Sequence, residues 1–360
     1  MPNKEDDKDH YDHKGFKTYT IQSLTDYIDL LESLNTGDKE LWFRGQSSAM
    51  YRLTPSALRY CYGVADWKGE YFERPVPENL SSGSNHKVVF RNVDAMVEEF
   101  KKKAEPILEY TAANDIEWEC IGQHYGLPTR MLDWTTNPLD ALYFAIGEDK
   151  EKGKNEELKN SGTFKWEKED NPGCTDDELI KLIYQKAVDE FADRQLSEYG
   201  GAVFIIDPVE INKYTIPWEK GVEPCVLDPE ESWCSEYIEK CLHEAELPIC
   251  IHGFNKEKRI SRQSGNFSTT GTDVMPLDFR DFFQPMITKI FIPYNCYKSI
   301  RKELRAIGIT EGEIYAKKRD ISGNYIDDDK DVICRKIAAE TTSKFIKQME
   351  NTHHGPDKWM

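Results

Sequence analysis

Between residues 20 and 34 the apolar positions Ile21, Leu24, Ile28, Leu31 and Leu34 recur every three or four residues, the spacing that keeps side chains on one helical face. Ser23 or Thr25 suits the start of that helix and Asn35-Thr-Gly37 its end. Leu41-Trp-Phe-Arg-Gly45 then reads as a short aromatic strand ended by glycine, followed by a polar and aromatic loop over 46–56. Residues 62–90, rich in Pro, Ser, Gly and Asn, read as a long loop. Helical spacing returns from Phe90 to Tyr110, where Pro106 predicts a kink or a break. A helix over Trp118–Tyr125 stops at Gly126-Leu-Pro128. Pro138 suits the first turn of the next helix, Leu139–Ile146, with Asn137 as its cap.

The stretch 147–177 is charge-rich and low in complexity and reads as an exposed insertion. A helix over 177–196 precedes Gly200-Gly-Ala-Val-Phe-Ile-Ile206, a continuous apolar run of the kind found in buried strands, which Asp207-Pro208 ends. Glu230–Leu247 reads as a helix with Cys234 and Cys241 on one face. Ile249–His252 and Met286–Pro293 read as strands, and Tyr297–Gly308 as a helix. Residues 1–17 read as a disordered tail and 346–360 as a second tail. Between them lies a single domain over 18–345, with a charged insertion at 147–198. Short strands mixed with helices, without βαβ alternation, indicate an α+β fold.

Composition narrows the function classes. The 360 residues carry 47 Lys+Arg against 65 Asp+Glu, a formal net charge of −18. A chain that binds nucleic acid non-specifically needs a basic surplus to neutralise phosphates, so that class is disfavoured. No apolar run approaches the ~20 residues that span a bilayer, and Met1–His10 has no apolar leader core, which points to a cytoplasmic protein without a membrane partner. Nine cysteines without a CxxC pair do not describe a disulfide framework. Cys225, Cys234, Cys241 and Cys250, with His243 and His252, lack the spacing of a ligand knuckle, so no metal is expected.

Three segments concentrate polar groups beyond what folding asks. In Phe43-Arg44-Gly45-Gln46 the arginine follows three large apolar residues, where a buried guanidinium needs a paired anion. It reads as a phosphate or carboxylate clamp with Gly45 permitting close backbone approach, or as an ion pair inside the fold, for instance with Asp133. The second segment, Gln123–Pro138, presents His124, Tyr125, Arg130, Asp133, Trp134, Thr136 and Asn137 within sixteen residues. Trp134 offers a stacking face, Asp133 a carboxylate to orient His124 or act as a base, and Asn137 the start of an anion-friendly helix end. The third, Arg259–Phe267, places Arg262 and Gln263 before a Ser-Gly-Asn turn.

Taken together, Phe43-Arg-Gly-Gln46, Leu53-x-Pro55-Ser56, Arg59, Gln123–Ala145, Gly201–Asp207 and Arg259-x-x-Arg-Gln-x-Gly-x-Phe267 resemble the FRG-domain family of bacteria and phage, over roughly residues 20–325. More remotely the chain is similar to ADP-ribosyltransferases. There an early-strand Arg or His contacts NAD, a Ser/Thr segment leads into a helix reading Ala-Leu-x-Phe-Ala, and a later Glu or Gln lies near the scissile ribose. Arg44, Thr135-Thr136 leading to Ala141-Leu-Tyr-Phe-Ala145, and Gln263 follow that order. The resemblance implies a mixed, mostly antiparallel sheet with surrounding helices, and NAD as a substrate. Arg44 would hold phosphate or ribose, Thr136 would brace it, Tyr143 or Trp134 would stack on nicotinamide, and Gln263 would meet a ribose hydroxyl. Gly45, Gln46, Arg130, Asn137 and Arg262 complete the expected nucleotide contacts. Gln263 lacks the charge that stabilises an oxocarbenium-like transition state, so the acid role passes to Asp133 or to a glutamate elsewhere. The functions implied are ADP-ribosyl transfer to a macromolecular acceptor, as a toxin or phage-defence effector with a neutralising partner protein, or a non-catalytic nucleotide-sensing module. A hydrolase or nuclease using Asp133 and His124 is the remaining reading.

Overall fold

The seven residues of strand β6 (Gly200–Ile206) are all buried, as their unbroken apolar run requires. In the computed structural model the described residues are 15–34, 39–63, 88–89, 91–108, 112, 114–147, 151–231, 233–234, 238, 247–253, 265–270, 276–279, 281–314, 318–319, 325–326, 329–352 and 354–358. Arg262, Gln263, Cys241 and His243 lie outside them. The chain divides into two compact units. The first comprises Met1–Tyr51, Trp134–Ile211 and Asp278–Tyr315, the second Arg52–Asp133, Asn212–Leu277 and Ala316–Met360.

In the first unit β6 pairs antiparallel with β2 (Trp42–Gln46) on one side and with β9 (Ile287–Pro293) on the other. Strand β1 (Lys17–Thr20) runs parallel to β9, with Lys17 opposite Thr288. That pairing corrects two expectations. Thr20 ends a strand and does not begin a helix, so α1 spans Leu24–Leu34, with the Ser23 hydroxyl accepting the Asp26 N–H at 3.1 Å. Phe16, assigned to a tail, is buried, and its backbone N–H and C=O both meet the Gln195 side-chain amide.

Helix α4 (Pro138–Ile146) begins as expected: Asn137 Oδ1 accepts the Leu139 N–H at 3.0 Å, and Pro138 occupies the first turn, where no N–H is needed. It packs with α1, α9 (Tyr297–Ala306) and α10 (Glu311–Ile314) in one core with Phe43, Val203, Ile205, Ile290 and Ile292. At its far end Arg301, buried on α9, donates from Nε to Gly147 O at 3.0 Å.

The charged insertion is helical. It folds as α5 (Glu151–Lys159), α6 (Gly162–Asp170) and α7 (Asp176–Arg194), with Leu158, Phe164, Leu179, Ile183 and Tyr184 as a small core of its own. Ser161 caps α6, and Thr175 with Glu178 forms a reciprocal capping box on α7. Caps on polar helices, with one apolar residue per turn facing inward, explain how so charged a stretch folds. After β6, Asp207 Oδ1 accepts the N–H groups of Val209 and Glu210 and opens α8 (Pro208–Thr215).

In the second unit α2 (Val93–Ala104) ends before Pro106, as that proline demands. It packs with α3 (Asp115–His124) and α11 (Asp329–Thr352) through Met96, Phe100, Trp118, Cys334 and Ala338. Strand β12 (His354–Lys358) pairs with β3 (Tyr60–Gly63), which pairs with β4 (Val88–Val89). Within the expected C-terminal tail, residues 346–352 continue α11 and 354–358 form β12. Strand β10 (Lys318–Arg319) pairs antiparallel with β11 (Tyr325–Ile326). Strands β7 (Ile249–Ile251) and β8 (Gly265–Thr269) pair antiparallel over a core that includes Met131, Leu227 and Cys234.

The chain passes from the second unit to the first within β5 (Met131–Thr135). The strand order is β1-β9-β6-β2-β5-β8-β7, a seven-stranded, mostly antiparallel open sheet with surrounding helices. The expected α+β class and sheet type hold. Among the described residues no helix is long and apolar enough to cross a membrane.

Candidate functional site

Strand alternation decides how the Phe-Arg-Gly segment is used. Phe43 lies in the α4 core, so Gly45, two residues on, faces α4 as well. A Cβ at Gly45 would overlap Ala141 O and come within 2.6 Å of Ala145 N and 2.9 Å of Phe144 Cβ. The close approach that this glycine permits is thus that of the α4 backbone. Arg44 points to the opposite face with Trp42 and Gln46. Its cross-strand neighbour on β6 is Phe204, and Phe204 in turn faces Lys289 on β9. Arg44 is half-buried and Gln46 buried.

On the far side of β2 the ladder to β5 is a single pair, Phe43 with Thr135, whereas the ladder to β6 runs over five residues. The two strands therefore part beside Arg44. Since Thr135 shares the face of Phe43, Trp134 shares the face of Arg44. Trp134 is 2% exposed and Tyr143 4%, the latter inside the α4 core, so neither ring presents an open stacking surface. Thr136 is exposed and Asn137 half-buried. Asn137 spends its Oδ1 on capping, its N–H on Thr135 Oγ1 at 3.0 Å and its Nδ2 on Asp140 Oδ1 at 2.9 Å.

Asp140 escaped the sequence reading. Its place in the first turn, three residues after the cap, is where a capping box carries an acid, and that was the available signal. It is 5% exposed, and burial outweighs the Asn137 hydrogen bond and pushes its carboxyl up to about 6.

The second unit holds its own polar cluster. Arg130 donates from one terminal nitrogen to Asp94 Oδ1 at 2.7 Å and to Glu119 Oε2 at 3.2 Å, while its backbone N–H reaches Glu119 Oε1 at 2.7 Å. Burial works against the guanidinium's charge, yet the Glu119 and Asp94 carboxylates hold its pKa above the ordinary value. Gln123 Nε2 donates to the exposed Asp133, and Thr129 donates to Gln123 Oε1. The Thr129 N–H in turn reaches Ser56 Oγ at 3.1 Å. His124, half-buried, sets its ring edge-on to Tyr125 with centroids 4.9 Å apart. Glu119 and Gln123, a turn apart on α3, are members of this cluster that helix periodicity alone does not distinguish from solvent-facing residues.

Among the described residues no group of three or more His, Cys, Asp or Glu side chains could hold a metal ion. Burial pushes the Cys225 and Cys234 thiols up from their ordinary range.

The sequence-predicted residues thus fall into three sets. Arg44, Gln46 and Trp134 share one face of the first unit's sheet, and Gly45, Asn137 and Tyr143 belong to the α4 side. His124, Arg130 and Asp133 lie in the second unit. Arg262 and Gln263 lie outside the described residues. The family model of the FRG domain matches residues 39–154, from the strand bearing Arg44 through α4, and the chain carries that domain. Comparison with curated proteins and with solved structures returned no match.

Proposed function

We propose that this FRG-domain chain binds a phosphate-bearing nucleotide through Arg44, and that it is an ADP-ribosyltransferase-like enzyme using NAD. The observation that carries the reading is the parting of β2 and β5 after a single ladder pair, directly beside a half-buried arginine. Water-poor surroundings strengthen a guanidinium's grip on phosphate, and the planar fork of arginine suits two phosphate oxygens at once. The order of Arg44, Thr135-Thr136 and Ala141–Ala145 along the chain supports the NAD assignment.

In the reaction the bond between nicotinamide and ribose C1′ breaks and an acceptor nucleophile forms the new bond to C1′. The nucleophile's proton passes to a base, and nicotinamide leaves. A macromolecular acceptor, a cytoplasmic setting, a toxin or phage-defence role and a neutralising partner belong to the same proposal. The second reading, nucleotide sensing without catalysis, is favoured by one sequence feature. The last position of the motif order is Gln263, an amide without the charge that the transition state would use.

Incubation of the full chain with NAD, followed by assay for free nicotinamide and for modified acceptor in a lysate, tests the enzyme. Thermal shift with NAD and with ADP-ribose tests binding alone. Wild type gives a ligand-dependent rise in melting temperature, and Arg44→Ala weakens the affinity about 10- to 100-fold, the loss of a charge-assisted pair. A shift without nicotinamide release establishes sensing. No shift with either ligand overturns both readings.

A further inference from the structure

Lys289 lies in the middle of β9, is 1% exposed, and is a lysine in a strand whose other residues are almost all apolar. Its Nζ donates to Ala49 O at 2.7 Å and to Gln195 O at 2.8 Å. Three rings surround it: Phe204 at 5.3 Å, Phe191 at 5.6 Å and Phe16 at 5.8 Å from Nζ to centroid. The two carbonyls come from separate segments. Ala49 is fully buried in the loop that follows Arg44-Gly45-Gln46, and its N–H is tied to Gly200 O at 2.8 Å. Gln195 closes the insertion's last helix in a left-handed conformation, φ 59°, which a non-glycine residue adopts only when its surroundings hold it there. Its side-chain amide clamps Phe16, and Phe16 leads into β1.

One ammonium therefore joins the Phe-Arg-Gly loop, the end of the helical insertion and the N-terminal strand. A buried cation is costly unless its donors are satisfied, and here carbonyl oxygens and ring faces supply the attraction. The cost makes the arrangement specific: displacing the loop or the insertion would strip an acceptor from an ammonium that water does not reach. Lys289 and Arg44 also share one sheet face, two strands apart with Phe204 between them. Whatever holds Ala49 also holds the strand end that carries Arg44.

We propose that Lys289 is a positioning residue, whose ammonium pins the loop after Arg44 to the helical insertion and so sets the placement of Arg44 for its anion. The last clause rests on the nucleotide-binding reading above; the pinning itself does not.

The test uses the full chain with Lys289→Met, which fills the ring cage without the ammonium, and Lys289→Gln, which keeps two N–H donors without the charge. Amide exchange is followed at 47–51 and, as an internal reference, along β6, and ADP-ribose affinity is measured on the same samples. Expected is exchange at 47–51 faster by about tenfold or more in Lys289→Met while β6 stays protected, with partial recovery in Lys289→Gln. ADP-ribose affinity should fall with the same ranking. Unchanged exchange at 47–51 in either folded variant overturns the pin, and so does equal loosening of 47–51 and β6. Faster exchange with unaltered affinity overturns the positioning of Arg44. A wild type that binds no ADP-ribose overturns the nucleotide reading alone, because the exchange comparison still decides the pin. Should Lys289→Met not fold, Lys289→Gln carries the same comparison.

Discussion

Replacing Gly45 by alanine adds one methyl group at a close helix–strand contact of the first unit. The added carbon would overlap Ala141 O and lie 2.6 Å from Ala145 N and 2.9 Å from Phe144 Cβ, against a comfortable separation of about 3.5–4.0 Å. Ala141 O and Ala145 N are helix backbone and Phe144 Cβ is bonded directly to it, so no flexible side-chain end can swing away. Helix α4 would have to withdraw by about 1 Å, loosening its core contacts with Phe43, Val203 and Ile292. Overpacking a close-packed interior costs about 1–3 kcal/mol, and a contact between two rigid backbones belongs at or above the upper end. Chemical denaturation reads this as a lower midpoint at unchanged slope. Gly162→Ala, where the added carbon meets nothing within 4 Å, is the control and should leave the midpoint near wild type. If Gly45→Ala keeps wild-type stability and loses only ligand affinity, the glycine serves the ligand and the packing argument fails.

Two further outcomes follow from buried groups near α4. Arg301→Ala leaves the carbonyls of Ile146 and Gly147 without their buried donor and should destabilise by about 2–3 kcal/mol; a melting temperature equal to wild type would refute it. Asp140 has a folded-state pKa of about 6 against an ordinary 3.8, so the folded chain holds its proton more tightly than the unfolded one. The stability linked to it is complete below about 3.8 and is lost as pH rises through about 6, up to roughly 3 kcal/mol in all. Urea denaturation from pH 4 to pH 8 should show that fall in wild type and a flatter profile in Asp140→Asn; identical profiles would count against the assignment.

Much of the local structure was legible because its causes are local. Three- and four-residue spacing, the Asn137-Pro138 start of α4, the break before Pro106 and the unbroken apolar run of β6 each depend on neighbours within about one turn or one strand. In the first part of the insertion, charge hides the pattern, and only the helix over 177–196 was legible. A helix needs about one inward apolar residue per turn, and Leu158, Phe164, Leu179 and Ile183 supply it amid acids and lysines. The sequence names candidate residues but not their grouping: strand alternation sends Arg44 and Gly45 to opposite faces, and only the tertiary partners say what each face meets.

What the sequence determined by itself was therefore the α+β class and most element positions, which follow from periodicity, caps and composition. Tertiary structure decided the rest. Lys17–Thr20 is a strand because Thr288–Phe291 lies beside it, and Lys289 is tolerated in the interior because Ala49, Gln195 and three rings converge on it. Gly45 belongs to packing because α4 crosses β2 at that residue. Each depends on partners dozens to hundreds of residues away. No local pattern encodes such a partner, because burial and pairing energies exist only once both surfaces have met.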